Sequence, residues 1–185
     1  MKKLSRRSTL FTSGAVVAAV AAGTFGTVSA NASAPAAPAA ASAAGAGAKS
    51  NTTMSTTHLT LASATKAAEA ALGAAKKENQ KVSVAVVDRD GNTILTLRGD
   101  GAGPQAYEAA EKKAFTAVSW NAPTSELVKR LDKAPTLKDI PGTLFLGGGA
   151  PVAVKGAPVA GIGVAGAPSG DLDEKFAQAG VDALR

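Results

Sequence analysis

The sequence predicts an α+β domain, an antiparallel sheet with helices packed on it. Three observations point there. Two pairs of strand-like segments are each joined by a tight turn, Asp88-Arg89-Asp90-Gly91-Asn92 in one and Lys155-Gly156 in the other. Hairpin connections make neighbouring strands antiparallel. The stretches around the hairpins are rich in alanine at helical spacing. The order is helix, hairpin, helix, helix, strand, hairpin, helix.

Each element has its own signal. Thr60 is a plausible N-cap for a first helix running to about Asn79, with Leu61, Ala64, Ala68 and Leu72 (or Ala71) on one face. Val82 to Val87 is a β-branched run suited to a buried strand, and Thr93 to Leu97 alternates as the returning strand. Gly101 to Pro104 break the chain. Gln105 to Trp120 then reads as a long helix with Ala106, Ala109, Ala110, Ala114 and Val118 as small packing positions. A short helix follows from Pro123-Thr124-Ser125 to about Leu131. Thr143 to Leu146 reads as a lone strand before Gly147-Gly148-Gly149. Pro151 to Val154 and Val159 to Val164 form the second hairpin. Gly161, Gly163 and Gly166 mark places where backbone or ligand approaches closely. Asp171 to Leu184 is a final amphipathic helix, with acids in its first turn where the helix dipole favours them. Such small core side chains bury little area each, so subunit packing is expected to supply part of the core.

The folded part, residues 58–185, follows two other segments. Residues 1–30 read as a signal peptide: a basic start (Lys2, Lys3, Arg6, Arg7), an apolar run from about Leu10 to Val28, and Val28-Ser29-Ala30 as the cleavage site. Ala32-Ser33-Ala34 is a second possible site. Ser5-Arg6-Arg7-Ser8-Thr9-Leu10 is similar to the twin-arginine export pattern, with Thr9 where Phe is usual. That route carries folded proteins, and a secreted, extracellular product is expected. Residues 31–57 are almost wholly Ala, Pro, Ser, Gly, Thr and Asn and read as a flexible linker.

Composition excludes several functions. The net charge is +6, but five of the twenty Lys and Arg precede His58 and none of the fourteen acids does, so the domain carries only +1. Its basic pI is no argument for nucleic acid. There are only seven aromatic residues, two of them in the leader, so base-stacking platforms are not expected. The absence of cysteine excludes thiolate catalysis, iron–sulfur ligation and cysteine-based zinc sites.

Few residues can carry chemistry. His58 is the only histidine, which removes most hydrolase triads and multi-histidine metal sites. It reads either as a solvated residue before the first helix or as an axial ligand to a metal or haem iron, which neutral imidazole binds well. Glu108 and Glu111, three apart on a helix, can share a hard cation such as iron; with Lys112 and Lys113 following, they read first, from the residues alone, as a salt-bridged exposed face. Gly147-Gly148-Gly149 has no following Lys-Ser/Thr and opens no helix, so it is no phosphate loop, and Gly161-Ile162-Gly163 lies inside a strand. Tight β packing explains both. Asp88, Asp90 and Asn92 lack the length and terminal Glu of a calcium loop and read as a hairpin turn.

Taken in order, Leu59-Thr60-Leu61, Val82-Ser83-Val84-Ala85-Val86-Val87-Asp88 with Gly91, Lys113-Ala114 with Thr116-Ala117, Pro141-Gly142, Gly147-Gly148-Gly149-Ala150-Pro151-Val152 and Gly161-Ile162-Gly163-Val164-Ala165-Gly166-Ala167-Pro168 before Asp171-Leu172-Asp173 resemble the GlcG/HbpS family over roughly 58–185. Each motif alone is weak; the order and spacing are specific. The leader and linker fit a secreted member rather than a cytoplasmic one. The resemblance implies a five-stranded antiparallel sheet flanked by helices, similar to a profilin or PAS layout, assembled into a homo-oligomer, an octamer. It also implies haem binding and redox sensing through a membrane sensor histidine kinase. Carried over by position, His58 and Thr143 are the haem contacts, and Glu108 and Glu111 form a surface iron site. Thr143 is an unusual ligand, because a neutral hydroxyl is a weak donor to iron. Two other readings stand beside this one: an enzyme, with haem degradation the conceivable activity, and a purely structural oligomer.

Overall fold

The structure, a computed structural model, describes residues 49–185. The leader, its cleavage sites and the first part of the linker lie outside the described residues. From Lys49 the chain makes one 3-10 turn, Ser50–Thr52, and then runs exposed to His58.

Eight main elements follow: α1 (Leu61–Lys77), β1 (Ser83–Asp88), β2 (Thr93–Arg98), α2 (Pro104–Trp120), α3 (Thr124–Val128), β3 (Gly149–Val154), β4 (Ala157–Ala165) and α4 (Gly170–Asp182). Thr60 caps α1 as expected, its hydroxyl accepting from the Ser63 amide. Pro104 starts α2 at a position where its missing N–H is harmless. Ser169 caps α4, and Asp171 and Asp173 occupy its first turn. Lys155 and Gly156 both take positive φ in the second hairpin turn, the conformation that matches strand twist.

The sheet has four antiparallel strands in the order β2-β1-β4-β3. One face, carrying Val84, Val86, Ile162 and Val164, packs on α1 and α4 through Ala64, Ala67, Ala68, Ala71, Phe176 and Ala177. The other, carrying Ala85 and Val87, packs on α2 through Ala106, Ala110, Ala114 and Val118. The expected α+β class and hairpins hold.

Two expectations need correcting. Thr143–Leu146 is not a fifth strand. The Leu144 amide is taken by the Thr116 hydroxyl at 2.8 Å, and the Leu146 amide turns back onto the Leu144 carbonyl at 2.9 Å, so neither is available to a ladder. Phe145 meets Trp120 edge-on, 5.3 Å between ring centres. Leu61 does not belong to the buried face of α1. It is 63% exposed, and Leu59, just before the helix, packs on the core instead.

The glycines of the sheet set the position of α2. A Cβ on Gly161 or Gly163 would run into the Ala114 and Ala110 carbonyl oxygens of α2, and one on Gly149 into that of Lys113. The three positions make a floor on which α2 lies backbone against backbone. The Gly147-Gly148-Gly149 loop is tied beneath it. Gly149 N–H donates to the Thr124 hydroxyl at 2.8 Å, and Gly148 N–H to Glu174 at 3.3 Å. Lys113, fully buried, donates to Asp173 at 2.8 Å and to the Val164 carbonyl at 3.1 Å. Burial pushes the Asp173 carboxyl above its ordinary value, against the opposing pull of Lys113 and the Ala167 and Gly166 amides.

Candidate functional site

Both hairpin strands of the first pair end at a turn built by Asp88. Its Oδ1 accepts the amides of Asp90 at 2.9 Å and Asn92 at 2.8 Å, and Gly91 takes positive φ to close the loop. Burial works against the charge on Asp88. The backbone and side-chain hydrogen bonds from Asn92, the Asp90 amide and the nearby His58 outweigh it and hold the carboxyl below its ordinary value. The exposed stretch before α1 runs alongside this turn. It brings His58 Nε2 to 3.4 Å from Asp90 Oδ2 and 2.8 Å from the Thr56 hydroxyl.

Phe115 joins this turn to the Thr143 loop. One edge of its ring lies under Gly91, where an added Cβ would be 2.8 Å from Cε2. The other edge faces Gly142, 3.6 Å from an added Cβ. Gly142 has positive φ, and Thr143 follows it, its hydroxyl donating to the Ile140 carbonyl at 2.7 Å. His58, through its contact with Asp90 of the β1–β2 turn, and Thr143, next to Gly142, are 85 positions apart in the sequence, and Phe115 lies between that turn and the Thr143 loop.

Glu108 and Glu111 stand on α2 at seven and four residues before Phe115, on the same side of the helix. They have separate partners. Glu108 pairs with Lys112 at 2.6 Å, which holds its carboxyl below the ordinary value. Glu111 accepts from the Thr96 hydroxyl of β2 at 2.8 Å. The salt-bridged reading thus fits Lys112. It fails for Lys113, which points the other way into the core.

Three cavities, of about 380, 320 and 240 Å³, lie elsewhere: at Leu72 and Val82, beside β3 at Val152, and at Leu146 and Gly170. None is lined by His58, Thr143, Glu108 or Glu111. Sequence reasoning missed two members of the site. Asp90 was read only as a turn residue, although its alternation with Asp88 was a signal that a carboxylate stands at the tip. Phe115 gave no signal at all.

The model of the family described as haem degrading protein HbpS-like matches residues 59–182. The chain belongs to this family. The structure of Streptomyces reticuli HbpS, in a form with two glutamates three positions apart each replaced by aspartate, is 70% identical. It covers 77% of this chain and 98% of its own, with a TM-score of 0.76. A PduOC:haem complex is 26% identical over 69% of this chain and 95% of its own, with a TM-score of 0.63. An uncharacterised 15.0 kDa protein of Citrobacter freundii, from the dhaT-dhaS intergenic region, is 32% identical over 113 residues, 58% of this chain and 80% of that one.

Proposed function

We propose that this protein is a secreted haem- and iron-binding protein, exported by the twin-arginine route, that acts as a homo-oligomeric accessory sensor for a membrane histidine kinase under redox or iron stress. The observation that carries the haem reading is that Phe115 lies between the turn that exposed His58 reaches through Asp90 and the loop that holds Thr143. The residues fit the group in donor chemistry. His58 offers an exposed imidazole, and Thr143 donates its proton to Ile140 while its oxygen keeps its lone pairs. The HbpS-like family and the haem complex of a 26% identical relative support the reading. Bound haem would supply a redox-active iron.

An imidazole as exposed as that of His58 leaves a porphyrin with one wall. A second copy supplies the other, and the exposed Ile140, beside Thr143, and Tyr107, on α2, are apolar groups suited to meet it. The proposed assembly is an octamer. The substituted glutamates of the Streptomyces reticuli protein have the spacing of Glu108 and Glu111, which supports an iron role for this pair. Iron held there would change the charge of the outer face of α2 and so the surface offered to the kinase.

Titration of the mature protein with hemin tests the reading. A Soret band is expected, with affinity falling on the order of tenfold or more in His58→Ala. An unchanged spectrum and affinity in that variant removes His58 from the site. A second reading, haem degradation, is favoured by the description of the family model. Loss of porphyrin absorbance from the complex under peroxide or ascorbate, beyond that of free hemin, decides for it.

A further inference from the structure

Around His58 the side chains converge in a way that haem ligation does not require. We infer that His58, Asp88 and Asp90 form a binding site for one divalent cation of the zinc class, separate from the glutamate pair, and that this ion and haem iron exclude each other at His58. The second half rests on the haem reading above; the first does not.

One ligand atom from each of the three lies within 4.8 Å of the other two. Nε2 of His58 and Oδ2 of Asp90, at 3.4 Å, already stand near the spacing of two donors on a tetrahedral ion. With metal–ligand bonds of about 2.0–2.1 Å that spacing is about 3.3 Å. Asp88 uses Oδ1 for the turn amides, while Oδ2 has only a 3.2 Å contact from the Asn92 side chain. It can therefore bind an ion without giving up the turn. The same turn fixes Asp90, because the Asp90 amide is one of the groups Asp88 holds.

The three ligands come from two stretches, the extended chain before α1 and the β1–β2 turn, so the ion would fasten one to the other. One imidazole and two carboxylates suit zinc and its first-row neighbours better than calcium or magnesium, which take oxygen alone. The Thr56 hydroxyl, 2.8 Å from Nε2, occupies the direction an incoming ion takes. Rotation about the Thr56 side chain clears it. Nε2 has one lone pair, which either zinc or haem iron can use but not both.

The test uses metal-free, haem-free protein and zinc chloride in isothermal titration calorimetry. Binding of one zinc per chain is expected. It should weaken at least tenfold in Asp90→Asn and His58→Ala and stay unchanged in the Glu108→Gln, Glu111→Gln double variant. Asp90 is the cleaner position, because Asp88→Asn also weakens the turn; matched melting temperatures show that Asp90→Asn is folded. Wild-type zinc affinity in Asp90→Asn, or loss in the glutamine double variant, overturns the site. Hemin titration with and without saturating zinc then tests exclusion. A lower apparent hemin affinity with zinc supports it, and equal affinity overturns it while the metal site stands. Hemin that fails to bind zinc-free protein overturns the haem reading, not the cation site.

Discussion

The two sides of α2 solve opposite problems. Toward the sheet it presents alanines, Val118 and one lysine, and the charge there is paired: Lys113 lies against Asp173 and the Val164 carbonyl, and the backbone rests on glycine. On the other side it presents Glu108, Glu111 and, half-buried at the edge of the core, Phe115, whose partners are a surface lysine, a threonine hydroxyl and two loop glycines. The inner side is over-determined and the outer side is replaceable. The contrast separates residues that hold the domain together from residues free to meet a ligand.

The glycine floor is where the comparison breaks most sharply. Replacing Gly161 and Gly163 together by valine sets side chains against α2 backbone, which cannot step aside as a side chain can. Overpacking costs about 1–3 kcal/mol where neighbours can shift, and more where they cannot. No cooperative melting transition is expected; a native-like transition would show that α2 can lift.

The next largest effect is Lys113→Met, which leaves the Asp173 carboxylate buried without its counter-charge and costs about 3–5 kcal/mol. The sign of its pH dependence follows from the raised carboxyl of Asp173, whose ordinary value is 3.8. Without Lys113 the folded state holds the proton at pH values where the unfolded chain has released it, so stability falls as pH rises above that value. Acid should partly rescue the variant in denaturant titrations. The Lys113→Met, Asp173→Leu pair should recover most of the loss, and failure to do so would mean that the Val164 and Ala167 contacts matter more than the charge.

On the outer side the same measurements should barely move. The Glu108→Gln, Glu111→Gln variant is expected within about 0.5 kcal/mol of wild type, because exposed pairs contribute little. Its iron uptake from dialysed protein should fall, and unchanged uptake would remove the pair from the proposed iron site. For iron binding the smallest expected effect is that of Thr96→Val, which deletes one part-buried hydrogen bond worth about 0.5–1.5 kcal/mol of stability and frees Glu111. Tighter iron binding in this variant, read by titration, would show that Thr96 competes for the carboxylate.

How much of this could be read from the sequence differs between the two sides. The inner side was legible as composition: alanine at helical spacing and glycine in a strand mean close packing, and the glycines of β4 do meet helix backbone. The buried lysine was not legible. Lys112 and Lys113 look alike in a row, and only the roughly 100° turn per residue sends one to Glu108 and the other to Asp173, 60 positions away. Hairpin turns were legible because Asp-Gly and Lys-Gly act locally. The lone strand at Thr143–Leu146 failed because a side chain from a distant helix took its amide. His58 stood out as the only histidine, Thr143 came from the family resemblance alone, and nothing in their spacing says that Phe115 lies between the turn beside one and the loop of the other. Asp90 was hidden by its own turn, whose hydrogen bonds explain the acids without a ligand.

The glycine floor also has a mechanical meaning. A helix seated backbone to backbone has no soft layer of side chains beneath it, and such packing is stiff. The spacing of Glu108, Glu111 and Phe115 along α2 is therefore a fixed scale, and a ligand arriving on that side cannot be met by movement of the helix. The loop at Thr143 is tied to the same ruler, its Leu144 amide held by Thr116 and its Phe145 ring by Trp120. Compliance belongs instead to the exposed chain before α1, and an event at His58 would be registered there first.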